Sequence, residues 1–171
     1  MKKIIETERL YLRELEPGDE AALACVLCDP EAMQYYPEPF SRERVARWIE
    51  WNLDHYRRYG HGLWAVIFKK EDLLLGDCGI TMQDIEGVNL PELGYHIRKD
   101  YWNQGYATEA AKACIEYGLE TLGLDALYTY AQRDNAPSIR VAAKNGMRFV
   151  KHFRKTVMGI VVDEVLYCIQ R

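Results

Sequence analysis

The spacing of hydrophobic residues changes period repeatedly along the chain, and each change marks an element. Thr7 to Leu15 alternates, with Leu10, Leu12 and Leu15 set against Arg9, Tyr11 and Arg13, which predicts a half-buried strand. Pro17-Gly18-Asp19 ends it, and Asp19 is placed to cap a helix carrying Leu23, Val26 and Leu27. Gln34 to Phe40 contains Pro37 and Pro39 and reads as a loop, because proline removes a backbone donor and restricts the residue before it. Ser41 then caps a long amphipathic helix with Val45, Trp48, Asn52, Leu53 and Tyr56 on its inner side, stopped by Gly60 and Gly62. Strands follow over about 63–69 and 73–82, and another runs from Glu92 to Arg98 after a polar loop around Gly87. From Gly105 the pattern turns helical, and Ala107, Ala110, Ala111, Cys114 and Gly118 give that helix a small-residue face able to lie close to a sheet. The remainder predicts a strand near 125–132, a short helix capped by Asn135 and ended by Gly146, and a hairpin of 147–156 and 160–169 turning at Met158-Gly159.

The order β-α-α-β-β-β-α-β-α-β-β predicts an α/β (α+β) fold, a mixed sheet with helices on both faces. At 171 residues, with no repeat or linker, one domain spanning 1–171 is expected.

Composition narrows the function classes. An apolar fraction of 49% and a charged fraction of 28% suit a soluble globular protein and exclude disorder. The longest apolar run, Leu63 to Phe68, is far shorter than the ~20 residues of a spanning helix, and Glu6, Glu8 and Arg9 break the opening that resembles a signal peptide. No membrane partner is therefore expected. Five scattered cysteines suit reduced thiols in a cytoplasm, and the lone pair Cys25/Cys28 lacks the second pair or histidines of a metal site. A net charge of −4 argues against nucleic acid. Residues 1–132 hold 14 Lys and Arg against 23 Asp and Glu, a balance of −9, whereas residues 133–171 hold 8 against 3, a balance of +5. The basic quarter suggests a local anionic ligand.

Two stretches carry candidate chemistry. Between Leu93 and Thr108 a strand passes through a short loop into a helix opening Gly105-Tyr106-Ala107. Unpaired N–H groups and the positive end of the dipole make such a helix start an anion site, and a glycine lets a phosphate approach the chain. The glycine spacing is neither a P-loop nor a dinucleotide fingerprint. One strand later, Asn135-x-x-Ser138 opens a short helix that carries Arg140 and Lys144.

In this order the segments resemble the GNAT superfamily of acetyl-CoA-dependent N-acetyltransferases, and most closely the branch containing the ribosomal-protein N-terminal acetyltransferases. Thr7 to Arg13 resembles the opening strand, Glu92 to Ile97 the central strand, Tyr101 to Ala110 the pyrophosphate loop, and Asn135-x-x-Ser138 with Lys144-x-Gly146-Met147 the closing helix. The resemblance implies that pantetheine lies beside Tyr95, Ile97 and Arg98, that the pyrophosphate takes the loop at Trp102, Asn103, Gln104, Gly105, Tyr106, Ala107 and Thr108, and that Asn135 and Ser138 face the thioester. Arg140 and Lys144 are then placed to meet the nucleotide phosphates. Tyr35, Tyr36, Phe40 and His55 would line the acceptor wall. The chain departs from the pattern twice. Trp102 replaces the usual Gln or Arg three residues before the loop glycine, and Ala142 replaces a Tyr that protonates the departing thiolate in many members.

The implied activity is acetyl transfer from acetyl-CoA to a primary amine, releasing coenzyme A, with a protein N-terminus as the leading acceptor. A small amine such as a polyamine, amino acid or aminoglycoside, or a non-catalytic acyl-CoA-binding module, are the alternatives. The protein is expected as a monomer or homodimer. Glu92 is the candidate general base and Ser138 the candidate acid. Alternation puts Glu92, Gly94 and His96 on one face of their strand, and ~13 Å separates Glu92 from His96, too far for a direct dyad.

Overall fold

The computed structural model describes residues 2–171, so Met1, the first residue of the expected domain, lies outside the described residues. The elements are β1 (Lys3–Glu6), β2 (Leu10–Glu14), α1 (Glu20–Leu27), α2 (Arg42–Tyr59), β3 (Leu63–Phe68), β4 (Leu73–Ile85), β5 (Val88–Ile97), α3 (Tyr106–Glu116), β6 (Ala126–Gln132), α4 (Ala136–Lys144), β7 (Arg148–Val157) and β8 (Ile160–Gln170). They build one eight-stranded sheet in the order β1-β2-β3-β4-β5-β6-β8-β7. Its pairs are antiparallel except β5 with β6.

The expected mixed sheet with helices on both faces is present, with three local differences. The strand expected over Thr7 to Leu15 is the shorter β2, and a further strand, β1, precedes it, joined by a turn in which Thr7 donates its N–H to the Leu10 carbonyl at 2.9 Å. The polar stretch around Gly87 is a two-residue turn. Glu86 and Gly87 both adopt left-handed φ values, 53° and 83°, whose twist matches paired strands, so β4 and β5 stay in register to Ile85 and Val88. Asp19 precedes α1 without bonding its first-turn N–H groups. Its carboxylate instead takes Arg13 through two 2.7 Å hydrogen bonds and accepts the Glu16 N–H. Ser41 and Asn135 cap α2 and α4 as expected, each accepting the N–H three residues on.

The sheet separates two cores. Below it, Leu93, Ile80, Leu127 and Trp64 pack with Ala110, Ala111 and Cys114 of α3. Above it, Leu15, Ala65 and Ile67 pack with Leu23 and Leu27 of α1 and with Val45 and Ile49 of α2. Burying each such leucine or isoleucine contributes roughly 1.5–3 kcal/mol, which holds both layers to the sheet that carries the site.

Candidate active site

β5 and β6 share a single register pair, Glu92 with Tyr128, and then diverge. The Thr129 hydroxyl donates to the Leu93 carbonyl at 2.8 Å, closing the apex of the gap. On the other edge of β5 the Arg98 N–H donates to the Leu75 carbonyl at 2.8 Å. Alternation therefore turns the backbone groups of Tyr95 and Ile97 into the gap. Trp102 takes one of them, its indole N–H donating to the Ile97 carbonyl at 2.7 Å. A cavity of about 720 Å³ passes through the gap and reaches both faces of the sheet.

On the lower face Gly105 holds φ 83°, a left-handed value that favours glycine, and caps α3 without a side-chain acceptor for its first-turn N–H groups. Arg9 braces this loop. Its guanidinium donates to the Gln104 carbonyl at 2.9 Å and to Glu109 at 2.7 Å, and lies 4.2 Å from the centre of the Tyr106 ring. Burial would raise the Glu109 pKa, but hydrogen bonds from Thr7 and Arg9 outweigh it and hold the carboxylate ionised. Across the gap the Asn135 carboxamide fixes the Ser138 N–H at 3.2 Å. The Tyr95 hydroxyl donates to the Ser138 carbonyl at 2.8 Å and lies 3.1 Å from Ser138 Oγ.

Tyr95, Ile97, Trp102, Asn103, Gly105, Tyr106, Ala107, Thr108, Asn135, Ser138, Arg140 and Lys144 all line this part of the cavity. Arg98 and Gln104 do not. Arg98 turns outward to Asp100 at 3.1 Å, and the Gln104 side chain donates to the Asp100 carbonyl at 3.3 Å while its own carbonyl is taken by Arg9. Uncapped helix N–H groups, the two cations of α4 and a narrow slot beside β5 suit a long ligand with phosphates at one end, and acetyl-CoA fits that description.

On the upper face Tyr35, Tyr36, Phe40, Trp48, Glu92 and His96 line the other half of the cavity. His96 is not a free base. Its Nδ1 lies 2.7 Å from Asp77 Oδ1 and its Nε2 lies 2.7 Å from the Tyr36 hydroxyl, while Trp48 donates its indole N–H to Asp77 Oδ2 at 2.9 Å. Burial opposes charge on His96, but the Asp77 carboxylate outweighs it and the pKa is raised. Burial raises Glu92 to about 8, against the lowering influence of His96 and Lys155. Glu164 of β8 joins the same wall, raised by burial to about 7.

His55 does not line the cavity. β4 extends past the end of β3, and the His55 Nε2 accepts the otherwise unpaired Met82 N–H at 3.1 Å. Burial holds its pKa down, so the ring stays neutral as an acceptor requires. The basic C-terminal quarter also divides. Arg140 and Lys144 reach the lower half of the cavity, Lys155 reaches the upper half, and Lys151 and Arg154 pair with Glu86 and Asp163 on the surface.

Sequence reasoning missed Arg9, Asp77 and Glu164 as site residues. A charged residue inside an otherwise apolar strand is the available signal for Asp77, which follows Leu73-Leu74-Leu75-Gly76, and for Glu164, which precedes Val165-Leu166. Arg9 looked like an outward residue of an alternating strand, and only the tertiary contact to α3 reveals its role.

Residues 9–148 match the GNAT acetyltransferase domain family. The Bacillus subtilis N-acetyltransferase YnaD is 34% identical over 155 residues, covering 90% of this chain and 87% of that protein. A crystal structure of a GNAT-family acetyltransferase from Bacillus anthracis superposes with a TM-score of 0.82 at 30% identity, covering 97% of each chain. RimL, a ribosomal α-N-protein acetyltransferase solved in complex with coenzyme A, shares the fold with a TM-score of 0.78 at 17% identity, over 99% of this chain and 98% of that one.

Proposed function

The chain belongs to the GNAT acetyltransferase family and is an acetyl-CoA-dependent N-acetyltransferase, and on that premise we propose that its acceptor is the α-amine of a protein N-terminus. The observation that carries this reading is the position and acidity of Glu92, which sits where the two halves of the cavity meet at the apex of the β5–β6 gap. Its pKa of about 8 matches that of an α-amine, near ~8, so a proton passes between them with little change in free energy. The fold shared with RimL, which acts on a ribosomal protein, agrees with this acceptor class.

Acetyl-CoA supplies an acetyl group activated as a thioester. The first-turn N–H groups of α3, with Arg140 and Lys144, hold the phosphate end, and the β5 edge at Tyr95 and Ile97 holds the extended arm. Glu92 takes the proton that the acceptor ammonium must lose to become nucleophilic. The position of the usual tyrosine, Ala142, is buried and bears no hydroxyl, and Ser138, whose Oγ lies 3.1 Å from the Tyr95 hydroxyl, gives the proton to the leaving sulfur. Tyr35, Tyr36 and Phe40 form the acceptor wall. We place the protein in the cytoplasm on the same reading, as a single domain.

A thiol-release assay tests the proposal. Peptides with a free N-terminus are expected to release coenzyme A, and the same peptides N-terminally blocked but carrying lysine are not. Turnover confined to small amines would move the acceptor to that class. Acetyl-CoA binding with no release for any acceptor would leave an acyl-CoA-binding module.

A further inference from the structure

The reaction as described leaves one buried carboxyl of the cavity unused. Glu164 lies on β8 opposite Gln132 of β6 and Phe153 of β7, on the sheet face that carries Glu92 and His96. It is only 4% exposed, lines the upper half of the cavity, and its Oε2 is buried without a hydrogen-bond partner. Native folds seldom leave a buried carboxyl oxygen unpaired, because no bond repays its lost hydration. Lys155, the cation whose charge Glu164 feels, is engaged elsewhere: its ammonium donates to the Asp84 carbonyl at 2.9 Å and lies 5.2 Å from the centre of the Tyr130 ring.

The surroundings select the missing partner. The Glu164 charge adds to burial in raising the proton affinity of Glu92, and Tyr36 and Tyr130 feel both carboxylates. A ligand between them meets acceptor oxygens and aromatic rings. An ammonium group satisfies both, by charge-assisted hydrogen bonds and by attraction to ring faces. An anionic or carbonyl group would leave Oε2 without a donor.

Resting on the transfer reading above, we propose that Glu164 is an acceptor-binding residue whose free oxygen receives an N–H of the acceptor's ammonium group before Glu92 takes a proton from it. The ammonium enters with three N–H bonds. One proton moves to the Glu92 carboxylate, which becomes a carboxylic acid, and the nitrogen keeps the electron pair with which it attacks. Glu164 keeps its charge and holds one of the two remaining N–H bonds. The residue thus fixes where the nitrogen sits, whichever backbone follows it.

The test is calorimetry on the protein without acetyl-CoA, titrated with n-butylamine, with alanyl-alanine amide and with its N-acetylated form. The wild type is expected to bind the two free amines and not the acetylated peptide. Glu164→Gln should weaken both amines at least about ten-fold, as loss of a buried charge-assisted bond does, and leave acetyl-CoA affinity unchanged. If Glu164→Gln does not fold, Glu164→Asp serves, with a smaller loss of the same sign. Unchanged amine affinity in the variant, a parallel loss of acetyl-CoA affinity, or a wild type that binds neither free amine overturns the proposal. A failed thiol-release assay instead overturns the transfer reading, so the two failures are separable.

Discussion

His96 and Asp77 face each other across β4 and β5, with Nδ1 and Oδ1 2.7 Å apart, and the imidazole joins a fully buried carboxylate to Tyr36 in the cavity wall. The ring that Asp77 holds in place has its Nε2 2.7 Å from the Tyr36 hydroxyl and so orients that hydroxyl. Asp77→Asn should lower the His96 pKa and loosen Tyr36. The expected kinetic result is a higher acceptor KM, by about ten-fold, with acetyl-CoA affinity unchanged. Proton NMR of the imidazole follows the titration, and a His96 pKa equal to that of the wild type would remove Asp77 from this role.

Glu92 as base has a pH signature. Below about 8 it is largely the carboxylic acid and accepts nothing, so turnover should rise with pH toward that value. An acceptor already neutral at neutral pH, such as trifluoroethylamine, removes the amine's own titration from the profile. Glu92→Gln should lower kcat about 100-fold and abolish the remaining rise. If the variant keeps the same rise, Glu92 is not the base.

Burial of the two carboxyls also couples stability to pH. Their folded pKa values, about 8 for Glu92 and about 7 for Glu164, lie above the ordinary 4.5. The folded state therefore keeps protons that the unfolded chain releases, and this contribution is full below about 4.5 and lost as pH rises toward 8. Each retained proton sets a slope of about 1.4 kcal/mol per pH unit. The double variant Glu92→Gln, Glu164→Gln should show a flatter melting temperature against pH by scanning calorimetry. An equally steep fall in the variant would mean that other groups carry the dependence.

Gly105→Glu should abolish acetyl-CoA binding. The left-handed φ of 83° disfavours any side chain there, a Cβ would stand 3.3 Å from Arg9 Nη2, and a carboxylate would compete for the helix N–H groups. Calorimetry with acetyl-CoA checks this, and retained affinity would move the phosphate site elsewhere.

Most of the fold was legible because the periodicities were clean. Leu10 and Leu12 alternate with Tyr11, Val45 and Tyr56 fall on one helix face, and Asn135 and Ser41 are short polar caps. The half of the cavity that carries Gly105 was legible partly from its helix start and partly from the resemblance, which supplied the places of Tyr95, Ile97, Asn135 and Ser138. The other half was legible only in part: Tyr35, Tyr36 and Phe40 were expected there, but Asp77, His96 and Glu164 come from three separate strands, and no local spacing announces that they converge with Tyr36. His55 illustrates the converse. It was expected on the acceptor wall, but whether it met a ligand or the edge of β4 depended on how far β4 outran β3.

Between β4 and β5 pairing runs unbroken from Gly76–Ile97 to Ile85–Val88, whereas β5 and β6 are joined at one register pair and one hydroxyl. The sheet is in effect two plates, β1 to β5 and β6 to β8, with a seam stitched at one end. A ligand lying in the seam and bonding to both lips would stand in for the absent rungs. The same opening that admits the substrates makes the folded chain a partner in holding them.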